Sequence, residues 1–301
     1  MQQVIGWFLK GLAMGAANVI PGVSGGTIAF ITGIFERLIR GIKSFDGQAL
    51  GLLLRFRFRE LAAKVDFLFL FSVFAGIGVS ILSLARVLEW AFTNYETLTL
   101  AFFFGLIIAS VLGVGRQVGS WQFSTGANFL VGTAIAVSIA FLPPAAPDDG
   151  VFYLFLCGVA AICSMVLPGL SGSYVLLLMG NYLLVLSAIS AFEVVTLLPF
   201  LAGCLVGLIL FSRLLSYLFV NFKDQTVALL TGFVAGSLLI IWPWKETQYL
   251  AVSGEKAKAI GYDWHLPSMD MAFFYSIVLV LTGFGLVWVI DKKGSNNRTT
   301  I

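Results

Sequence analysis

The sequence predicts an all-α integral membrane protein, an inverted repeat with two re-entrant or broken helical hairpins and about six full transmembrane helices. Three observations carry that expectation. Of 301 residues, 59% are hydrophobic and 11% charged, with a mean hydropathy of +0.98, whereas a soluble domain carries roughly 25% charged residues. The apolar runs approach the roughly 20 residues that a helix needs to cross a bilayer, and lack the alternating pattern of transmembrane barrels. The phrase Asn18-Val19-Ile20-Pro21-Gly22-Val23-Ser24-Gly25-Gly26-Thr27 also returns, 147 residues on, as Met165-Val166-Leu167-Pro168-Gly169-Leu170-Ser171-Gly172-Ser173-Tyr174.

Each copy of the phrase sits near the middle of an apolar segment, about 11–39 and 151–189. Proline removes a backbone donor and glycine loosens the chain. Backbone freed in this way is tolerated in a bilayer only where it meets protein or a polar cavity. The simplest reading is a re-entrant hairpin with the broken loop at its tip; one long discontinuous helix is the alternative. Six further segments, 67–92, 98–115, 129–142, 194–220, 227–242 and 271–290, have spanning character.

Orientation follows from Lys and Arg. The linker 40–65 holds Arg40, Lys43, Arg55, Arg57, Arg59 and Lys64, and the tail holds Lys292, Lys293 and Arg298, so both are expected in the cytoplasm with the two termini. The turn 143–150 carries Asp148 and Asp149 and no basic residue; with the loop 244–270 it is expected outside. The repeat continues beyond the hairpins. At an offset of 127, residues 75–110 match 202–237 at eleven positions, including Gly76 with Gly203, Arg86 with Arg213 and Gly105 with Gly232. The offset falls from 147 to 127, which places a 20-residue insertion in the basic linker. Three crossings separate the hairpins, so the halves 1–142 and 143–301 are expected to be inverted copies.

Paired breaks in corresponding places of two halves point to a transporter's binding site. Ser24, Gly25, Gly26 and Thr27, with Ser171, Gly172 and Ser173, present small uncharged donors where a helix starts and its dipole favours an anion. The alternative is tight small-residue helix packing. Arg86 and Arg213 are charges within spanning segments, to be read as functional or as snorkelling toward an interface. Glu36 and Arg37 close the first hairpin where the second has Leu183 and Leu184, a one-sided addition to a repeated frame. Glu89 lies one helical turn from Arg86 and can neutralise it.

Enzyme classes are disfavoured. Gly22-Val23-Ser24-Gly25 and Gly169-Leu170-Ser171-Gly172 mimic the serine motif of intramembrane proteases, but the only histidine, His265, lies outside every spanning segment. A serine nucleophile needs a base within reach. Cys157, Cys163 and Cys204 lack metal-ligand spacing and read as small core residues, and no metal or cofactor is expected.

From Gly11 to Thr27, and on through Thr32-Gly33-Ile34-Phe35-Glu36-Arg37-Leu38-Ile39, the chain resembles the signature of the bacterial polyprenyl-phosphate transporter family (PopT-type), once a domain of unknown function. The resemblance implies a substrate, undecaprenyl phosphate, the lipid carrier of cell-wall precursors, returned from the outer to the inner leaflet of the cytoplasmic membrane. It implies lipid and membrane as partners, with no nucleic acid. Arg37, Arg86 or Arg213 would hold phosphate, and Glu36 is the candidate to couple transport to a proton, with sodium as the other candidate ion. Asn18 departs from the aspartate expected there in many members, and an amide carries no proton.

Overall fold

A computed structural model describes residues 2–19, 25–250 and 258–296. Each broken segment becomes three helices. In the first half these are α1 (Gln2–Val19), α2 (Gly25–Ile31) and α3 (Phe35–Lys43). The linker is not featureless: it folds into α4 (Gly47–Leu54) and α5 (Phe58–Lys64), with Asp46 capping α4 by accepting the N–H groups of Gln48 and Ala49. Next, α6 (Phe67–Gly115) runs through one non-helical residue, Tyr95, which separates the two spans read from sequence.

After α7 (Phe123–Ala140), the second broken segment gives α8 (Val151–Val166), α9 (Gly172–Leu178) and α10 (Tyr182–Ala191). Then come α11 (Val194–Asn221), α12 (Lys223–Ser237) and α13 (Met271–Asn296). Between the last two helices, the expected loop contains an antiparallel hairpin, β1 (Lys245–Leu250) paired with β2 (Lys258–Trp264). Charge counting alone could not reveal those strands.

Among the described residues, four helical stretches are long and apolar enough to cross a membrane: Trp90–Gly115, Phe123–Ala140, Val194–Asn221 and Met271–Val289. Two bent pairs, Phe58–Lys64 with Phe67–Ser83 and Gly172–Leu178 with Tyr182–Ile189, raise the number to six if each is one span. Most exposed residues of α11 and α13, such as Leu198, Leu205, Leu210 and Leu281, are apolar. That surface suits lipid and not water. This is an all-α membrane protein with a small β-hairpin.

Both broken segments fold back on themselves. A β-carbon on Gly25 would press on Asn18 and Met14 of α1, and one on Gly172 would press on Ala161 and Met165 of α8. Those contacts correspond residue for residue at the 147 offset. Gly33 (φ 71°) and its counterpart Gly180 (φ 78°) both make the left-handed turn into the third helix, a conformation glycine adopts without steric penalty. After that turn α10 departs at 117° to α9.

Helix pairs meet through the same repeated glycines. Gly11 and Gly76 bring α1 against α6, as Gly158 and Gly203 bring α8 against α11; Gly105 seats α6 on α13, as Gly232 seats α12 on α7. Lipid offers no hydrophobic drive between helices, so close backbone approach supplies the association energy.

Two faces result. On the linker face, residues from α3, Asp66, Gln117, Ser216 and Lys223 converge. On the opposite face, Asn181 binds the backbone of Asp148 through both ends of its amide, and Trp264 donates to the Leu239 carbonyl. Gly33 lies on the first face and Gly180 on the second. The core between them is packed from Met14, Phe30, Phe69, Ile107, Leu170, Leu230 and Val234.

Candidate functional site

The start of α2 touches the second broken loop. The backbone N–H of Gly169 donates to Thr27 Oγ1 at 2.8 Å in a buried contact, and Thr27 is 1% exposed. Pro168 interrupts the helix before it, and Gly169 (φ 86°) turns so closely past α12 that a β-carbon would overlap the Phe233 carbonyl. Glycine is therefore required at this crossing. A buried donor left without an acceptor costs about 1–3 kcal/mol, so Thr27 holds the second loop in place.

The remaining predicted donors differ in availability. Ser24 lies outside the described residues. Gly25 is buried, and its N–H donates to Asn18 Oδ1 at 2.7 Å, so this donor is spent on an internal cap. Gly26 is buried beside it. In the second loop Gly172 is buried, whereas the hydroxyls of Ser171 and Ser173 share a hydrogen bond of 3.0 Å with Ser173 exposed. Among the described tip residues, the exposed hydroxyl is that of Ser173 in the second loop. Asn18 was noticed in the sequence as a departure; its role as the cap on α2 was not.

The arginines separate. Arg37 Nε and Nη2 donate to Asp66 at 2.6 and 3.0 Å, a forked pair, while its guanidinium lies 4.3 Å from the Trp7 ring centre and 4.4 Å from that of Phe69. Such sandwiched, bidentate geometry fixes an arginine in place. Asp66 opens α6 in a left-handed conformation, with φ 52°. Arg213 is exposed on α11, away from the cavity walls, which fits snorkelling along lipid. Arg86 lies in α6, and its side chain, like that of Glu89, lies outside the described residues.

Charge gathers elsewhere. A chamber of about 300 Å³ on the linker face is lined by Phe30, Gly33, Phe35, Glu36, Arg37, Arg40, Gln117, Lys223 and Val227. It lies one hairpin arm from Thr27, since Phe30 follows Thr27 on α2. Lys223 opens α12 and approaches Glu36 at 3.8 Å, joining the two halves, and Lys43 donates to Ser216 at 3.0 Å close by. With Arg37 balanced by Asp66 and Lys223 facing Glu36, Arg40 leaves the chamber with excess positive charge, which favours an anion. Arg40, Gln117 and Lys223 were not singled out from sequence, because each follows or precedes a span and reads as an ordinary interface residue.

Comparison with known proteins resolves what this arrangement belongs to. Residues 14–258, more than half of the chain, match the model of the Undecaprenyl phosphate translocase-like family. The chain belongs to that family. A relative named "Polyprenyl-phosphate transporter" from Vibrio cholerae is 39% identical over 293 residues, covering 95% of each chain. Another of the same name from Staphylococcus aureus is 31% identical over 310 residues, covering 96% of this chain and 97% of the relative. No solved structure matches. The relatives are named as transporters and not as enzymes, in agreement with the reading of the serine motifs.

Proposed function

We propose that this protein carries polyprenyl phosphate, with undecaprenyl phosphate as the natural substrate, from the outer to the inner leaflet of the bacterial cytoplasmic membrane. The observation that carries the reading is the buried meeting of the two broken loops at Thr27 and Gly169, one arm away from a cationic chamber. The near full-length similarity to two polyprenyl-phosphate transporters supplies the substrate.

The prenyl tail stays in lipid, and only the phosphate needs a polar route. Ser171 and Ser173 receive it at the second loop, with Gly172 allowing close approach. Thr27, with Gly25 and Gly26 beside it on α2, forms the opposing wall. Movement of one half against the other parts the Thr27–Gly169 contact and passes the phosphate to the chamber. Inversion of the halves is supported by the matched glycine contacts and by Gly33 and Gly180 lying on opposite faces. With the linker face in the cytoplasm, the chamber is the inner exit. Arg37, clamped by Asp66, contributes field and position rather than a free fork; Arg86 and Arg213 are further sources of positive charge within the spans.

Inward transfer of a monoester with about −1.5 to −2 charge opposes an inside-negative potential by about 2.3 kcal/mol per charge per 100 mV. Co-movement of a proton, or of sodium, offsets this. Glu36 is the candidate carrier because Lys223 faces it: a phosphate that takes Lys223 releases the carboxylate to a proton. A carrier of small soluble anions is the second reading, supported by the chamber alone. Leaflet-resolved transport of labelled undecaprenyl phosphate in proteoliposomes decides between them. Transport of the lipid with no uptake of inorganic phosphate is expected; the reverse overturns the proposal.

A further inference from the structure

Beside the chamber lies a second cavity, of about 530 Å³, lined by Val111, Leu112, Gly115, Arg116, Val118, Trp121, Phe129 and Thr231. It is a cleft between the end of α6 and the start of α7, floored by α12. The chamber and the cleft share a wall: Gln117 lines the first, and Gly115, Arg116 and Val118 line the second. On α12, Val227 lines the first and Thr231, one turn further, the second. The walls are apolar except for exposed Arg116 at the rim and the buried Thr231 hydroxyl, which donates to the Val227 carbonyl.

The repeat explains why the cleft is open. At the 127 offset, Thr231 corresponds to Phe104 and Gly115 to Trp242. On the opposite face Phe104 and Trp242 pack edge to face, with centroids 5.5 Å apart. The same frame is thus filled by two aromatic rings on one face, whereas on the other a glycine and a threonine stand in their places and Trp121, which donates to the Gly115 carbonyl, forms one wall of the cleft.

We infer that this cleft seats the first isoprene units of the lipid phosphate on the linker face, with Arg116 at its rim and the phosphate in the adjoining chamber. The inference rests on the transport reading above. An apolar cleft adjoining a cationic chamber matches an amphiphile whose charge and chain begin at one atom. Filling of the opposite counterpart restricts the seat to one face, so the protein holds its substrate more firmly where it delivers it.

The test is equilibrium binding of two radiolabelled probes, undecaprenyl phosphate and methyl phosphate, which has no isoprene unit, to the purified full chain in detergent. Thr231→Phe copies the filled face and is expected to weaken undecaprenyl phosphate by about tenfold, equivalent to roughly two buried methylene groups. Methyl phosphate should bind it as it binds the wild type. Leu112→Trp, at a half-exposed position on the rim, should give the same selective loss if Thr231→Phe proves unstable. Unchanged undecaprenyl phosphate binding by both variants overturns the inference. So does displacement of that label by an equal concentration of phosphatidylglycerol, which would assign the cleft to ordinary lipid. Wild-type protein that binds neither probe overturns the transport reading and the cleft together.

Discussion

The first and second broken hairpins share a backbone plan and differ in what they do with charge. Both fold back at a Pro-Gly break, both turn at a left-handed glycine, and both press an equivalent glycine onto the preceding helix. In the first, Asn18 caps Gly25, and Glu36 and Arg37 face a chamber with Arg40 and Lys223. In the second, Met165 stands where Asn18 does, Leu183 and Leu184 replace the charged pair, and Asn181 is spent on holding the turn at Asp148. Under the proposed function, repetition supplies the two geometries that exchange between faces requires, and the unequal side chains supply a bias toward the face that better holds an anion.

Breaking the shared plan should have the largest effect. Gly169→Val puts a β-carbon into the Phe233 carbonyl and imposes φ 86° on a branched residue. The left-handed strain alone is about 1–3 kcal/mol, before any overlap. Loss of transport with a clear drop in melting temperature is expected, whereas exposed Ser173→Ala should melt normally.

Removing the bias should have a smaller and more selective effect. Glu36→Gln is expected to leave a folded protein that moves the lipid in proteoliposomes without accompanying proton movement; proton movement identical to wild type removes Glu36 from coupling. Arg37→Lys keeps the charge but loses the fork to Asp66. Its side chains are each 38% exposed, so a modest loss of stability is expected, with transport reduced but present. Full wild-type stability would show that the forked geometry contributes nothing.

The hairpin plan was legible because its cause is local: a proline, a run of small residues and a second copy at fixed spacing. The glycine pairs were legible for the same reason. The chamber was not, since Glu36 and Lys223 are 187 residues apart and belong to different halves. Nor was the clamp on Arg37, whose partner Asp66 ends a linker read only for its positive charge. Burial of Thr27 was also hidden, because a hydroxyl at a loop tip looks the same in sequence whether it meets a ligand or the other loop. Arg213 shows the reverse case, a matched intramembrane charge that faces outward.

The smallest effect is expected on the face opposite the chamber. Lys245, at the start of β1, donates to the Ile240 carbonyl, and burial pushes its amine down to about 8 from an ordinary value near 10.5, although Glu96 pulls it upward. The unfolded chain therefore binds more protons between about pH 8 and 10.5, and stability from this group rises with pH through that window. The difference in melting temperature between wild type and Lys245→Met should grow in favour of wild type from pH 8 to 10.5. A constant difference would show that Lys245 is not held in this state.

Leaflet-resolved transport by Thr27→Val and Thr27→Ser, compared with wild type in the same proteoliposomes, tests the meeting of the loops most directly. Valine keeps the shape of threonine but leaves the Gly169 N–H without its acceptor, and serine restores the hydroxyl. The account predicts that serine supports transport and valine does not, with both proteins folded; wild-type transport by the valine variant would contradict it.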